Sequence, residues 1–346
     1  GAKVASLGSG GGSDVLQALR GGASEVWAVE VIPYIQWLMT ESEQSDFAGG
    51  LHHDPRVHVV TEDARAFVRR QPGAFDIMIS QSSNSFAALA SGGFALNESY
   101  LWTTEAFRDH WRALTPRGLM IIEHQFYVPR MVTSVLYALT REGVAEPTRH
   151  FAVWELPQRR RMVLLLSKEP LAKEMIETAF SELSWEPPHV DEASGESVDD
   201  GEAKAEEPPG PPMVRLWPTV EGEQPHMVAT IATDGWRSVA ESSAVDLSPS
   251  TDNRPFIAQL GLWRNLDLKE IPRYEFRGYP VGKLVLVTIL LVTLVICSPL
   301  LVALQLGRGP RLGLAPWLYF FCLGAGFMAI EVVLIQQFTL LVGASS

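Results

Sequence analysis

Short apolar stretches alternate with amphipathic segments along the first 170 residues of the chain. The apolar stretches have the length of buried strands, and the segments between them have helical spacing. The predicted strands are Val4–Leu7, Val26–Val29, Val57–Val60, Phe75–Ile79, Gly118–Ile122, Phe151–Glu155 and Met162–Ser167. The predicted helices are Asp14–Leu19, Ile35–Thr40, Ala64–Arg70, Thr104–Leu114 and Met131–Gly143. This alternation predicts an α/β fold with a mostly parallel sheet, helices on both faces and an antiparallel hairpin at one edge.

Two longer apolar runs lie near the end of the chain. Residues Leu284–Leu306 carry no formal charge, and the run that starts at Leu314 carries only Glu331. A bilayer span needs about 20 apolar residues, so residues 281–346 are predicted to form a transmembrane helical hairpin. Two buried core helices are the alternative. Glu331 indicates a substrate or proton site in a larger bundle, or a hydrogen bond that fixes helix packing.

Composition separates the rest of the chain into regions. The 346 residues are 47% hydrophobic with a net charge of −12, which excludes a wholly disordered chain and argues against nucleic acid as a partner. Nine acidic residues, one lysine and six prolines fall within 185–212, which predicts a disordered acidic insert, with an acidic docking site as the alternative. The predicted regions are a nucleotide-binding domain over 1–170, a helical extension over 171–184, the insert, a closing and juxtamembrane segment over 213–280, and the hairpin. Because the first strand starts at once, the domain is expected to be N-terminally truncated, as part of a longer protein.

Candidate ligand-binding residues follow three successive predicted strands. The loop Gly8-Ser9-Gly10-Gly11-Gly12 follows the first strand and precedes a helix, an arrangement that lets backbone approach a nucleotide. Glu30 ends the second strand, twenty residues after Gly10, where a carboxylate binds ribose hydroxyls. Asp63-Ala64 follows the third strand, where an Asp can contact an adenine amino group. Ligands of open α/β sheets bind at these carboxyl ends, so the three features together predict a nucleotide site.

Six of these segments together resemble the spermidine synthases, or polyamine aminopropyltransferases. They are Val4–Gly12, Val26–Pro33, Asp54–Val57, Asp63–Arg65, Phe75–Ser80 and Leu114–Ile122. Three further segments look like the large membrane-bound spermidine synthase-like proteins of bacteria. These are Phe94–Phe107, Pro249–Phe256 and Phe327–Gly343. The resemblance implies a Rossmann-like fold, shared with class I S-adenosylmethionine-dependent methyltransferases, in a multi-pass protein of the cell inner membrane. The positive charges flanking the apolar runs would keep its nucleotide domain in the cytoplasm.

The resemblance also implies a donor ligand, which is decarboxylated S-adenosylmethionine, S-adenosylmethionine or methylthioadenosine. The residues expected to bind it are Gly8, Ser9, Gly10, Gly12, Glu30, Val31, Asp63, Ala64 and Ser80. No metal is expected. The expected partners are a small-molecule acceptor, such as a polyamine or another amine, the lipid bilayer, and further transmembrane helices of the same protein.

The predicted turn after the fourth strand departs from that family. Aminopropyltransferases carry an acidic turn there that helps deprotonate the attacking amine, whereas this chain has Ser80-Gln81-Ser82-Ser83-Asn84. Glu98, Tyr100 and Gln81 are the substitute catalytic candidates. Aminopropyl transfer in polyamine biosynthesis is the function implied by the family. A methyltransferase and a non-catalytic nucleotide-sensing domain of a membrane transporter-like protein are the alternatives.

Four other features are predicted to be structural. His52-His53 lacks a supporting set of metal ligands, and Arg159-Arg160-Arg161 is read as a solvated hairpin tip. Asp252 and Arg254 are expected to form an ion pair or a turn that docks their segment onto the sheet. Trp27 and Trp37 are expected in the core.

Overall fold

The computed structural model describes residues 1–81, 99–124, 128–156, 161–178, 213–220, 222, 224–266, 281–306 and 313–342. Eight strands form one sheet in the order β3-β2-β1-β4-β5-β7-β6-β8. The strands are β1 (Lys3–Leu7), β2 (Glu25–Glu30), β3 (Val57–Thr61), β4 (Phe75–Gln81), β5 (Leu114–His124), β6 (Phe151–Leu156), β7 (Arg161–Ser167) and β8 (Val214–Trp217).

Helices connect these strands and continue after the sheet. They are α1 (Ser13–Arg20), α2 (Pro33–Thr40), α3 (Glu43–Phe47), α4 (Ala64–Arg69), α5 (Thr104–Ala113), α6 (Val128–Arg141), α7 (Lys173–Thr178), α8 (Met227–Asp234), α9 (Trp236–Val239), α10 (Val281–Leu306) and α11 (Leu314–Val342). Strands β1 to β5 pair in parallel, whereas β7 pairs antiparallel with both β5 and β6. The predicted Rossmann-like α/β fold with a mostly parallel sheet is confirmed.

The central strands are buried on both faces, which explains their nearly continuous apolar sequence. In β1, Val4 packs with Val15 and Leu19 of α1 on one face. Ala5 and Leu7 point to the other face, into the larger core that α4, α5 and α6 cover. Because neighbouring parallel strands end at the same edge, the carboxyl ends of β1, β2, β3 and β4 lie side by side.

The sheet has one more strand than the sequence pattern predicted. β8 pairs antiparallel with β6, with Val153 opposite Trp217 and Glu155 opposite Val214. Its four residues are too few to give a clear alternation, and its partner lies about 60 residues earlier in the chain. The predicted acidic insert, 185–212, lies outside the described residues.

The segment 243–260 packs against the first turns of α5 and α6. Arg130 of α6 is 1% exposed, and its guanidinium donates to the main-chain carbonyls of Ser248, Phe256 and Gln259 at 2.8, 2.8 and 3.1 Å. Thr251 and Arg254 form the predicted docking turn. The ion pairs differ from the expected one, since Asp252 binds Arg65 and Arg254 lies 3.4 Å from Asp246.

The two apolar runs near the end of the chain form helices α10 and α11. No helix in the part of the chain that the structure describes is long and apolar enough to cross a bilayer. On this finding, the predicted transmembrane hairpin and the assignment to a multi-pass inner-membrane protein are wrong. Glu331 lies in α11 with an exposed side chain.

Trp37 is a second residue for which the prediction, a place in the core, is wrong. It lies on the outer side of α2, with 45% of its surface exposed, and stacks on Tyr34 with 5.6 Å between ring centroids. Trp27 is half-buried and packs against the core as expected, and it stacks on His58 at 4.8 Å. The difference arises because α2 is covered by the sheet on one side only. A tryptophan on its other side stays in contact with solvent.

Candidate functional site

The glycine loop after β1 adopts a conformation that residues with side chains rarely take. Gly8, Gly10 and Gly12 have φ angles of 83°, 48° and 82°. The amides of Gly8 and Ser9 both donate to the carbonyl of Val29 at 2.9 Å, so the loop is tied to the end of β2. A Cβ on Gly12 would lie 2.7 Å from Leu51 and 2.9 Å from His52. The loop therefore needs glycine at Gly12 for both backbone conformation and space.

Glu30, at the end of β2, is the buried carboxylate of this edge, with 6% of its surface exposed. Its Oε2 accepts a hydrogen bond from the Gly10 amide at 3.1 Å, and its Oε1 accepts one from the Ile32 amide at 3.0 Å. The structure thus brings Gly10 and Glu30 together, as their spacing predicted. An ionised carboxylate has about four acceptor positions, so two of them are left for further donors. Val31 follows Glu30 with its apolar side chain exposed at this edge.

Asp63 begins the neighbouring loop after β3. Its Oδ1 accepts a hydrogen bond from the Ala66 amide at 2.9 Å and so caps the N-terminus of α4, which starts at Ala64. The Glu62 amide donates to the Glu30 carbonyl at 3.1 Å. The structure therefore joins the ends of β2 and β3 directly. The capping bond accounts for Asp63 at this position without a ligand.

The end of β4 holds the predicted Ser80 and Gln81. The Ser80 hydroxyl is buried and donates to the Leu7 carbonyl at 3.2 Å, while the Gln81 Oε1 accepts from the Ser13 hydroxyl at 3.1 Å. Both side chains are thus engaged by β1 and α1. The remainder of the predicted turn, Ser82 to Asn84, and the candidate Glu98 lie outside the described residues.

Tyr100 lies on the far side of that gap, in a single turn of 3-10 helix over Tyr100–Trp102. Its carbonyl accepts a hydrogen bond from the Arg65 guanidinium at 3.2 Å. This contact ties the turn with Tyr100 to the start of α4, immediately after Asp63 and Ala64. Of the three catalytic candidates, the structure places Gln81 at the end of β4 and Tyr100 in this turn.

The end of β5 adds two residues that the sequence analysis missed. Glu123 lies beside Gln81 in the parallel register, and its carboxylate is 3.1 Å from Arg161. His124 is buried, with its ring 6.1 Å from that of Trp102. Burial, together with Arg161, lowers the pKa of His124 to about 3, so its imidazole is neutral at pH 7. The signal was available in the sequence, since the acid Glu123 is the penultimate residue of β5, close to its carboxyl end as Glu30 is in β2.

Asp14 is the second residue of α1, which begins directly after the glycine loop. It is buried and accepts a hydrogen bond from the Ser6 hydroxyl of β1 and another from the Val15 amide at 3.1 Å. Burial raises the pKa of Asp14 above its usual value. This carboxyl therefore fixes the start of α1 to β1.

The two adjacent histidines have different surroundings. His52 is 4% exposed, its ring nitrogens have no hydrogen-bond partner among the described residues, and its edge faces Gly12. Burial lowers the pKa of His52, with a smaller contribution from His53. His53 instead contacts the Thr40 carbonyl through Nε2 at 2.9 Å. Within the described ranges, no three His, Cys, Asp or Glu side chains are grouped to hold a metal ion.

Of the three arginines predicted at the tip of the hairpin of β6 and β7, Arg161 lies among the described residues. Arg161 starts β7 and pairs with Glu123, so it is not a freely solvated side chain. Arg159 and Arg160 of the same predicted tip lie outside the described residues.

Comparison with known proteins finds partial structural likeness. The spermidine synthase from Thermotoga maritima is similar with a TM-score of 0.37 and 18% identity, over 53% of this chain and 61% of that one. A spermidine synthase in complex with the transition state analogue AdoDATO gives 0.36 and 18%, over 53% and 60%. A putative S-adenosylmethionine-dependent methyltransferase from Listeria monocytogenes gives 0.26 and 15%, over 37% and 47%.

The chain spans about 60% of the length of these two spermidine synthases. No protein-family model matches the chain, and no curated protein matches it either.

Proposed function

We propose that this chain binds an adenosyl sulfonium compound at the carboxyl edge of its sheet and transfers a group from it to a small acceptor. The observation that carries the proposal is the contact between Glu30 and the glycine loop. A buried carboxylate that is held by the Gly10 and Ile32 amides keeps unused acceptor positions at the end of β2. Two adjacent ribose hydroxyls are donors that match them.

The neighbouring residues suit the rest of an adenosine. Val31 offers an apolar surface next to Glu30, and Asp63 with Ala64 lies at the next strand end, linked to β2 by the Glu62 amide. The purine would lie against Val31, with its amino group toward Asp63. The sulfonium end would then lie above the glycine loop and the ends of β1 and β4. In this arrangement the reacting carbon would lie near Gln81 and Glu123.

The transfer itself makes modest demands on the protein. A lone pair of the acceptor forms a bond to the carbon attached to sulfur, the carbon–sulfur bond breaks, and its electron pair neutralises the sulfonium to a thioether. An amine acceptor must also lose a proton, and a free alkylamine has a pKa of about 10. A base or a carboxylate is therefore needed when the acceptor is a polyamine.

Methyl transfer is the second candidate reaction, and one observation favours it over aminopropyl transfer. Among the described residues at the ends of β4 and β5, Ser80, Gln81 and His124 are uncharged, and the Glu123 carboxylate is balanced by Arg161. These described residues offer little net negative charge to a dicationic polyamine. A methyl acceptor that is not a polycation has no such requirement.

Titration calorimetry on the full chain tests the donor site. S-adenosylmethionine, its decarboxylated form and methylthioadenosine are each titrated, with nicotinamide adenine dinucleotide as the control ligand. We expect all three adenosyl ligands to bind with micromolar affinity and the dinucleotide to bind more weakly. No heat up to millimolar concentration of the three, or tighter binding of the dinucleotide, overturns the proposal.

Product analysis then separates the reactions. Incubation with putrescine and the decarboxylated donor gives spermidine and methylthioadenosine if the group transferred is aminopropyl. Incubation with S-adenosylmethionine and a cell-derived pool of small molecules gives S-adenosylhomocysteine if it is methyl. Tight donor binding with neither product contradicts group transfer and supports a nucleotide-sensing role.

A further inference from the structure

Arg65 is a buried arginine close to the carboxyl edge of the sheet, where the donor ligand is proposed to bind. It lies two residues after Asp63, near the start of α4, and its side chain is 7% exposed. Its Nε donates to Asp109 at 3.0 Å, and its Nη1 and Nη2 donate to the two oxygens of Asp252 at 2.7 and 3.0 Å. Nη1 also donates to the Tyr100 carbonyl at 3.2 Å. One guanidinium thus joins α4, α5, the turn with Tyr100 and a loop 187 residues away.

Asp252 belongs to that distant loop and has further contacts with the same region. Its Oδ1 accepts from the Thr103 hydroxyl at 2.7 Å, and its amide donates to Glu105 at 3.0 Å. The loop also forms two main-chain bonds beside it, from the Ser99 amide to the Pro255 carbonyl at 2.6 Å and from the Thr104 amide to the Ser250 carbonyl at 2.8 Å. The loop therefore contacts residues at both ends of 99–104.

The bidentate pair of Arg65 and Asp252 is better suited to orienting the two segments than to stabilising the fold. A buried ion pair contributes little net stability, because desolvation of both charges offsets their attraction. A bidentate arginine–carboxylate pair, however, fixes the orientation of both partners. Here it fixes the start of α4, which carries Asp63 and Ala64, relative to the turn that carries Tyr100.

We propose that Asp252 is a positioning residue for the donor site. Acting through Arg65, it holds the start of α4, at Asp63 and Ala64, in position relative to the turn that carries Tyr100. The affinity for the donor ligand therefore depends on a loop that is distant in the sequence. This inference rests on the proposed function for its effect on ligand. Its effect on the ligand-free protein does not depend on that function.

The test compares two aspartates of the same segment. Asp252→Asn removes the charge that holds Arg65, whereas the matched control Asp246→Asn removes a carboxylate that lies 3.6 Å from Arg130 and does not contact Arg65. Methylthioadenosine affinity is measured by calorimetry at a temperature where circular dichroism shows each variant to be folded. We expect Asp252→Asn to weaken binding at least tenfold and Asp246→Asn to change it less than threefold. Equal effects of the two variants overturn the inference.

Hydrogen–deuterium exchange supplies a readout without ligand. We expect faster exchange at residues 62–66 and 99–104 in Asp252→Asn, and at neither stretch in Asp246→Asn. If wild-type protein binds no adenosyl ligand, the proposed function fails, and this exchange pattern alone decides the inference. Should Asp252→Asn not fold, Arg65→Lys replaces it, since lysine keeps the charge but cannot form the two-pronged contact. Unchanged exchange in Arg65→Lys contradicts the inference.

Discussion

Replacement of Glu30 by glutamine is the sharpest test of the donor site. Glu30→Gln preserves the shape of the side chain and removes its charge. The two carboxylate oxygens accept from the Gly10 and Ile32 amides at 3.1 and 3.0 Å. Glutamine retains one acceptor oxygen, and its amide nitrogen would face one of these two donors. The variant therefore weakens both the anchor of the glycine loop and the positions left for ribose.

The size of the effect follows from the hydrogen bonds involved. A hydrogen bond to a charged group contributes about 1.5–3 kcal/mol, against about 0.5–1.5 kcal/mol for a neutral one. The variant exchanges two charged bonds to ribose for about one neutral bond, a loss of about 2.5–4.5 kcal/mol. Since about 1.4 kcal/mol is tenfold in affinity, Kd should rise about 60- to 1,600-fold.

The assay is calorimetry with S-adenosylmethionine, its decarboxylated form and methylthioadenosine. These ligands share the ribose and differ in the group on sulfur, so Glu30→Gln should weaken all three by the same factor. Glu62→Gln is the matched control, because Glu62 directly follows β3 and its carboxylate, among the described residues, pairs with Arg70. A change in Kd below threefold for Glu30→Gln, or a loss confined to one ligand, would refute this role of Glu30.

Three further predictions concern stability and are measured by urea unfolding. Gly12→Ala should lose about 1–3 kcal/mol, because φ is 82° and the new methyl meets Leu51, whereas Gly11→Ala should be nearly neutral; equal effects would contradict this. Arg130→Met should lose about 3–5 kcal/mol, since several buried carbonyls lose their donor, and a loss below 1 kcal/mol would count against it. Burial lowers the pKa values of His110 and His124 to about 4 and about 3, so below pH 6.5 the unfolded chain binds protons that the folded chain does not. Stability should be complete above pH 6.5 and fall toward pH 4, by up to about 1.4 kcal/mol per pH unit for each histidine, and a stability unchanged between pH 7.5 and 5 would contradict it.

The sheet and the glycine loop could be predicted because their signals are local. Strand β1, the loop and α1 lie within the first 20 residues, and burial on both faces leaves a short apolar run that is easy to recognise. The position of Gly10 and Glu30 at the same edge of the sheet could be predicted for the same reason. In a parallel sheet, one crossover brings the ends of neighbouring strands to the same edge.

The contacts of Arg65, Arg130 and Asp252 could not be predicted from local pattern. Each pairs with partners more than 100 residues away, and no periodicity records such a pairing. For the apolar runs after residue 281, the sequence instead predicted a feature that the structure does not support. Their composition alone suggested a membrane hairpin, although hydropathy reports which residues avoid water and not what covers them.

The predicted site residues differ in how far hydrogen bonds within the protein already satisfy their side chains. The Ser80 hydroxyl donates to the Leu7 carbonyl, and the Asp63 Oδ1 accepts from the Ala66 amide of α4, so bonds within the protein explain both side chains. Glu30 differs, because two amides use only half of its acceptor positions while the side chain is almost wholly buried. A buried carboxylate with unused positions is costly unless donors reach it. The ribose is the part of the proposed ligand that supplies them, and Glu30 is therefore the residue on which the proposed function depends most.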